Sequence, residues 1–215
     1  MRNLVNIYET IRLKIQKKHI AIWSNSRSKK LLNNCFTIIS NNCWGGRIYQ
    51  SYGMKNLSPT IGMIIYPDDY LKFCTHLHKY TNMQLEFISF EKSKYYESVV
   101  HRKEYPIARL DDIELHFLHY HSQKEAELKW ERRIKRICWD CVIYKFNDQN
   151  GCTKEMLQRF CSLPLANKLC FVCKRNWIPG TIAIKGILNK NEIKFSYEPY
   201  GHNRQFNVTE YLNNI

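Results

Sequence analysis

From Cys35 onward, short apolar runs alternate with helix-patterned segments, and no other feature of this 215-residue chain constrains its fold as tightly. The runs Phe36-Thr37-Ile38-Ile39-Ser40, Ile61-Gly62-Met63-Ile64-Ile65, 84–90, 113–120, 141–146 and 168–173 are strand-length and are bounded by turn residues. Between them, a helix is expected from Arg47-Ile48-Tyr49 to near Gly53. Another should start at Pro67-Asp68-Asp69, where two acids suit a helix N-terminus. Ser122-Gln123-Lys124-Glu125 has the form of a capping box, and a further helix is expected over 153–161. Repeated strand–helix alternation predicts an α/β fold, with a mainly parallel sheet flanked by helices. Residues 181–188 and 192–197 flank Asn189-Lys190-Asn191 and predict a C-terminal β-hairpin. The expected division is an arm over 1–34 and a single domain over 35–215.

Charge singles out the arm. The chain has 33 Lys and Arg against 19 Asp and Glu, a net +14. Residues 1–34 hold eight of those bases and one acid, Glu9, so half of the excess sits there. Leu4, Ile7, Ile11 and Ile15 recur at helical spacing, which predicts a basic amphipathic helix. Such a helix can pack on its own domain or lie on an anionic membrane surface. No nucleic-acid motif or sustained basic stripe is present, so nucleic acid is not an expected partner. At 44% hydrophobic residues the chain can bury a core, which excludes wholesale disorder. No run approaches the ~18 apolar residues of a spanning helix. Nine cysteines, an odd number placed largely in apolar runs, point to reduced thiols. A cytoplasmic location is expected, with peripheral membrane contact left open.

Two segments carry candidate chemistry. Ligands of parallel α/β sheets gather at the carboxyl ends of strands. Asn41-Asn42-Cys43-Trp44-Gly45-Gly46-Arg47 occupies such a place. The glycines can bring backbone amides close to an anion, the asparagines can bind hydroxyls, and Trp44 offers a flat face to a sugar. Alternatively this is a tight turn whose Trp plugs the end of the sheet. Cys43 is a candidate nucleophile if Arg47 depresses its pKa. In the second segment, period-2 alternation puts Asp112, Glu114 and His116 on one face of a strand, suited to proton transfer or to the solvent side of an edge strand. Cys138-x2-Cys141 and Cys170-x2-Cys173 have zinc-like spacing, but residues i and i+3 of a strand point to opposite faces. No metal site is expected, and the residues specify no cofactor.

These strings are similar to a bacterial family of unknown function often labelled exopolysaccharide biosynthesis protein. The resemblance lies in Phe36–Gly46, in Ser58-Pro59-Thr60-Ile61-Gly62, in Pro67-Asp68-Asp69-Tyr70 and in Asp111–Tyr120. It continues through Ala126-Glu127, Lys129–Arg133 and Gly151-Cys152-Thr153, and so covers roughly 35–174. It implies an α/β domain in capsule or exopolysaccharide synthesis and assigns no catalytic residues. The expected activity is transfer from an activated anionic sugar bound at Asn41–Arg47, with Asp112 or His116 as general base and Glu114 between them. Two alternatives stay open: acyl or other substituent transfer to the glycan, and a non-catalytic accessory role that binds glycan intermediates.

Overall fold

The computed structural model describes residues 2–185 and 191–215, with side chains described from residue 7 onward. The chain opens with helices α1 (Arg2–Ile22) and α2 (Ser24–Ser28), then enters strand β1 (Thr37–Ser40) and helix α3 (Trp44–Ser51). Helices α4 (Pro67–Thr75) and α5 (Leu77–Thr81) precede β2 (Glu86–Ile88), α6 (Tyr96–Val99), β3 (Ile107–Leu110) and β4 (Ile113–His116). There follow α7 (Gln123–Ile134), β5 (Val142–Asn147), α8 (Lys154–Ser162), β6 (Asn167–Cys173), β7 (Ile182–Ile184) and α9 (Val208–Asn213).

Four strands form a parallel sheet in the order β1-β5-β6-β7, with Thr37 opposite Val142 and Phe146 opposite Cys170. Both of its faces are covered, as a parallel sheet requires. Ile39, Phe146, Cys170 and Val172 pack towards α4, α7 and α8; Ile38, Ile143, Leu169 and Phe171 pack towards α3 and α9. Both helix starts read from the sequence form. Ser122 Oγ accepts from the Glu125 amide at 3.1 Å and so caps the helix, whereas the Glu125 carboxylate accepts from the His121 amide at 2.8 Å rather than closing the box on Ser122. Pro67, Asp68 and Asp69 occupy the first turn of α4.

A second sheet, β2-β3-β4, is antiparallel and departs from the expected parallel array. Its β3–β4 hairpin turns on Asp111-Asp112, with Asp111 at φ 55°. Asp tolerates this left-handed geometry better than most residues, which suits a two-residue hairpin turn. The run 61–65 is not a strand. It bridges the two sheets through Ile64, paired with His116, and through the Ile65 amide, which donates to the Asn41 carbonyl at 3.1 Å. Near the C-terminus, β7 runs parallel to β6, and Phe195–Tyr197 is a 3-10 turn rather than a second hairpin strand. Most of the expected hairpin turn, at 189–190, lies outside the described residues.

The arm is helical and anchored. Glu9 accepts from Ser196 Oγ at 3.2 Å and Tyr197 Oη at 2.9 Å, Arg12 lies 3.7 Å from the centre of the Tyr197 ring, and Ile20 is buried. Arg27, buried after α1, donates to the Ile20 and Ser51 carbonyls. No helix among the described residues is long and apolar enough to cross a membrane.

Candidate ligand cleft at the end of strand β1

The carboxyl ends of β1 and β5 hold a buried polar network. Lys145, in the middle of an apolar strand, has no exposed surface and donates to Glu198 at 2.5 Å. Lys145 also donates to Asn42 Oδ1 at 3.0 Å. Asn42 Nδ2 and Asn147 Nδ2 both donate to the Glu198 carboxylate, and Asn41 Nδ2 donates to Asn147 Oδ1 at 2.8 Å. Burial pushes the Lys145 ammonium pKa down, and Glu198 opposes that shift. A buried charge without such partners would be strongly destabilising.

This network fixes the loop that follows β1. Asn42 Oδ1 accepts from the Trp44 amide at 3.0 Å and so satisfies the first free N–H of α3. Trp44 is fully buried, donates to the Pro199 carbonyl at 2.8 Å and meets Phe171 edge-on. It plugs the sheet end and presents no face to a sugar. A Cβ on Gly45 would sit 3.2 Å from an Ile38 side-chain carbon and 3.3 Å from the Ile38 carbonyl oxygen; one on Gly46 would sit 3.2 Å from Ile61. The two glycines therefore serve close packing of α3 on β1 and on the 61–62 segment. Burial pushes the Cys43 thiol up to about 11 despite Arg47 nearby, which removes the basis for an activated nucleophile.

The turn nevertheless borders an open cleft of about 680 Å³. Cys43, Gly46 and Arg47 form one wall, Ile61, Gly62 and His119 a second, and α1 a third through Leu13, Gln16, Lys17 and Ile20. Arg47 stacks 3.6 Å from the centre of the Phe195 ring and donates to the Phe195 carbonyl at 3.0 Å. Burial lowers its pKa to about 10, so it is still cationic at neutral pH. Gln50 and Asn56 complete the polar lining, and no Asp or Glu lines the cleft among the described residues. Its polar groups are cations and neutral amides, set among the apolar side chains of Leu13, Ile20, Met54, Ile61 and Phe195.

The carboxylate–histidine stripe does not line this cleft. Asp112, on the hairpin turn, is half-exposed, 2.6 Å from Lys72 and 2.7 Å from Tyr80 Oη; those partners hold its carboxyl at about 2. An ion-paired carboxylate that acidic is a poor general base. Glu114 and His116 do share a face, with His116 Nε2 3.6 Å from Glu114 Oε2, but both are buried. The rings of Tyr66, Tyr95 and Tyr105 surround His116, and Tyr105 Oη lies 3.3 Å from its Nδ1. Burial alone would raise the Glu114 pKa. His116, Ser93 and the Lys94 amide more than offset that and hold it at about 2. The expected alternation fails at Asp112 because a strand pattern does not extend through a hairpin turn.

Lys145 and Glu198 were missed in the sequence. A lysine inside the apolar run 141–146 was the available signal for the first, whereas the isolated Glu198 gave none. His119, three residues beyond His116 and exposed, is the histidine that reaches the cleft. Cys170 and Cys173 are buried on β6. Among the described residues no group of three or more His, Cys, Asp and Glu is placed to hold a metal ion.

A family model described as a domain of unknown function, DUF1919, matches residues 14–213. The chain belongs to the DUF1919 family. The match begins inside α1 and runs into α9, so both the helix that walls the cleft and the C-terminal segment carrying Glu198 fall within the DUF1919 region. An uncharacterised protein of Haemophilus influenzae is 29% identical over 215 residues, spanning 97% of this chain and 99% of that protein.

Proposed function

We infer that this DUF1919 protein binds an activated, anionic sugar in the cleft between α1 and the Cys43–Arg47 turn, and acts as a transferase of surface-polysaccharide synthesis. One observation carries the reading: Lys17, Arg47 and His119 line the cleft together with Gln16, Gln50 and Asn56, and no carboxylate does so. Cations suit a phosphate group, and amide side chains supply both donors and acceptors to sugar hydroxyls. A site meant for a cation would carry carboxylates. The roles follow from position. Lys17 and Arg47 hold the anionic group, the amides orient the sugar, and His119 is the titratable group at hand for an acceptor hydroxyl. Asp112, Glu114 and His116 take no part in this arrangement. The association with capsule and exopolysaccharide synthesis rests on the sequence resemblance of Phe36–Gly46 and Asp111–Tyr120.

The test is a thermal-shift screen of the whole chain, since a ligand that binds only the folded state raises its apparent stability. Nucleoside diphosphate sugars should raise the transition, free sugars should not, and Lys17→Gln should reduce the shift without lowering the unliganded transition. A shift with acyl-coenzyme A instead would redirect the assignment to substituent transfer. Shifts unchanged by Lys17→Gln and Arg47→Gln would place the ligand elsewhere and overturn the site.

A further inference from the structure

Helix α1 has two unlike faces. At 100° per residue, Glu9, Arg12, Gln16 and Ile20 cluster on one side, and these are the residues that meet the body of the protein. Ile7, Ile11, Ile15 and Ile22 form a stripe spanning about 80° of arc, centred about 140° away from that contact face. They are exposed by 55%, 52%, 62% and 72%, and Trp23, just beyond the helix, by 51%. The pattern is inverted relative to an ordinary surface helix, which buries its isoleucines. Contiguous exposed apolar surface of this kind marks an interaction site.

Charge specifies the occupant. Lys14 flanks the stripe and Lys18 falls within its arc, where a long stem can follow apolar surface while its ammonium stays in the polar layer; both are exposed, whereas Lys17, further round, borders the cleft. The one acid of the first 34 residues, Glu9, is turned inward onto Ser196 and Tyr197. A second copy of this chain would bring the same lysines against each other, an unfavourable like-charge contact. A surface that is apolar below and anionic above satisfies both the isoleucines and the lysines.

We propose that the outer face of α1 docks the protein on an anionic lipid bilayer. The helix lies parallel to the surface, with the isoleucines in the acyl–headgroup boundary and the lysines among the phosphates. Its inner side contributes Leu13, Gln16, Lys17 and Ile20 to the cleft, so docking holds the cleft beside the membrane whatever the cleft binds. The proposal does not depend on the identity of that ligand.

Co-sedimentation of the whole chain with vesicles tests it, using phosphatidylcholine alone or mixed with phosphatidylglycerol. Binding should need the anionic lipid and fall steeply with salt. Ile11→Ser/Ile15→Ser should reduce the partition coefficient about tenfold or more, and Lys14→Gln/Lys18→Gln about tenfold at low salt. Both pairs are exposed, so circular dichroism and melting should match the wild type. The proposal is overturned if the wild type ignores anionic vesicles, if either double variant binds them as the wild type does, or if the Ile pair instead abolishes a concentration-dependent dimer in lipid-free buffer.

Discussion

Glu114 shows how far a single buried carboxylate can tie stability to acidity. Its pKa lies well below the ordinary 4.5, at about 2, because His116, Ser93 and the Lys94 amide favour the charged form more than burial disfavours it. A carboxyl whose folded pKa is depressed contributes stability that is present above its unfolded pKa and lost as pH falls towards the folded value. The protein should therefore weaken from about pH 4.5 down to about pH 2. Glu114→Gln keeps the shape and removes the titration. In urea unfolding followed across this range, the variant should show a flatter dependence of midpoint on pH than the wild type. An equal slope in both would assign the acid sensitivity to other groups, such as Asp112.

At the scale of elements, the packing of α3 on β1 is the tightest constraint near the cleft. Gly45→Ala gains about 1 kcal/mol of helix propensity. It also forces a methyl to 3.3 Å from the Ile38 carbonyl oxygen, a backbone atom that cannot step aside. Overpacking costs about 1–3 kcal/mol, so a net loss of roughly 1 kcal/mol is expected in chemical denaturation. Gly46→Ala meets the Cγ2 methyl of Ile61 at 3.2 Å, a contact that Ile61→Val would leave in place. If Gly45→Ala proves more stable than the wild type, close packing is not why glycine stands there. The sequence signals that worked were local: the side-chain cap at Ser122, the acids opening α4, and the apolar runs of β1, β5 and β6. What it did not disclose depends on pairing. A run such as 61–65 has strand composition, yet only Ile64 finds a strand-like partner. Carrying the alternation of the 113–120 run back by one residue sets Asp112 beside Glu114, whereas Asp111-Asp112 has turn chemistry and makes the hairpin. Trp44 has the composition of a sugar platform, and only the carbonyl of Pro199, more than 150 residues away, reveals it as a plug.

For the whole molecule, the Lys145–Glu198 pair joins the centre of the parallel sheet to the C-terminal segment. Removing one partner of a buried pair costs about 3–5 kcal/mol, whereas replacing both with apolar residues is often much milder. Glu198→Ala should accordingly destabilise strongly in denaturant titration, and Lys145→Met/Glu198→Met should be less destabilised than Glu198→Ala. Additive losses would mean that the amides of Asn42 and Asn147, left without an acceptor, dominate instead. Asp148 adds to the same clasp, accepting from the amides of Cys173 and Ile193.

The same clasp sets an order of events during synthesis. A chain leaving the ribosome N-terminus first offers β1 about a hundred residues before its partner β5, and Lys145 more than fifty residues before its counter-ion. Until Glu198 emerges, closing the sheet would strand an ammonium in an apolar interior, so the nascent protein gains little by closing early. Contacts of such long sequence separation are also slow to form. Chains truncated before residue 198 should remain open to protease at the β1–α3 loop, and the full 215-residue chain should resist. The charge pair thus acts as a checkpoint that withholds a finished cleft from an unfinished chain.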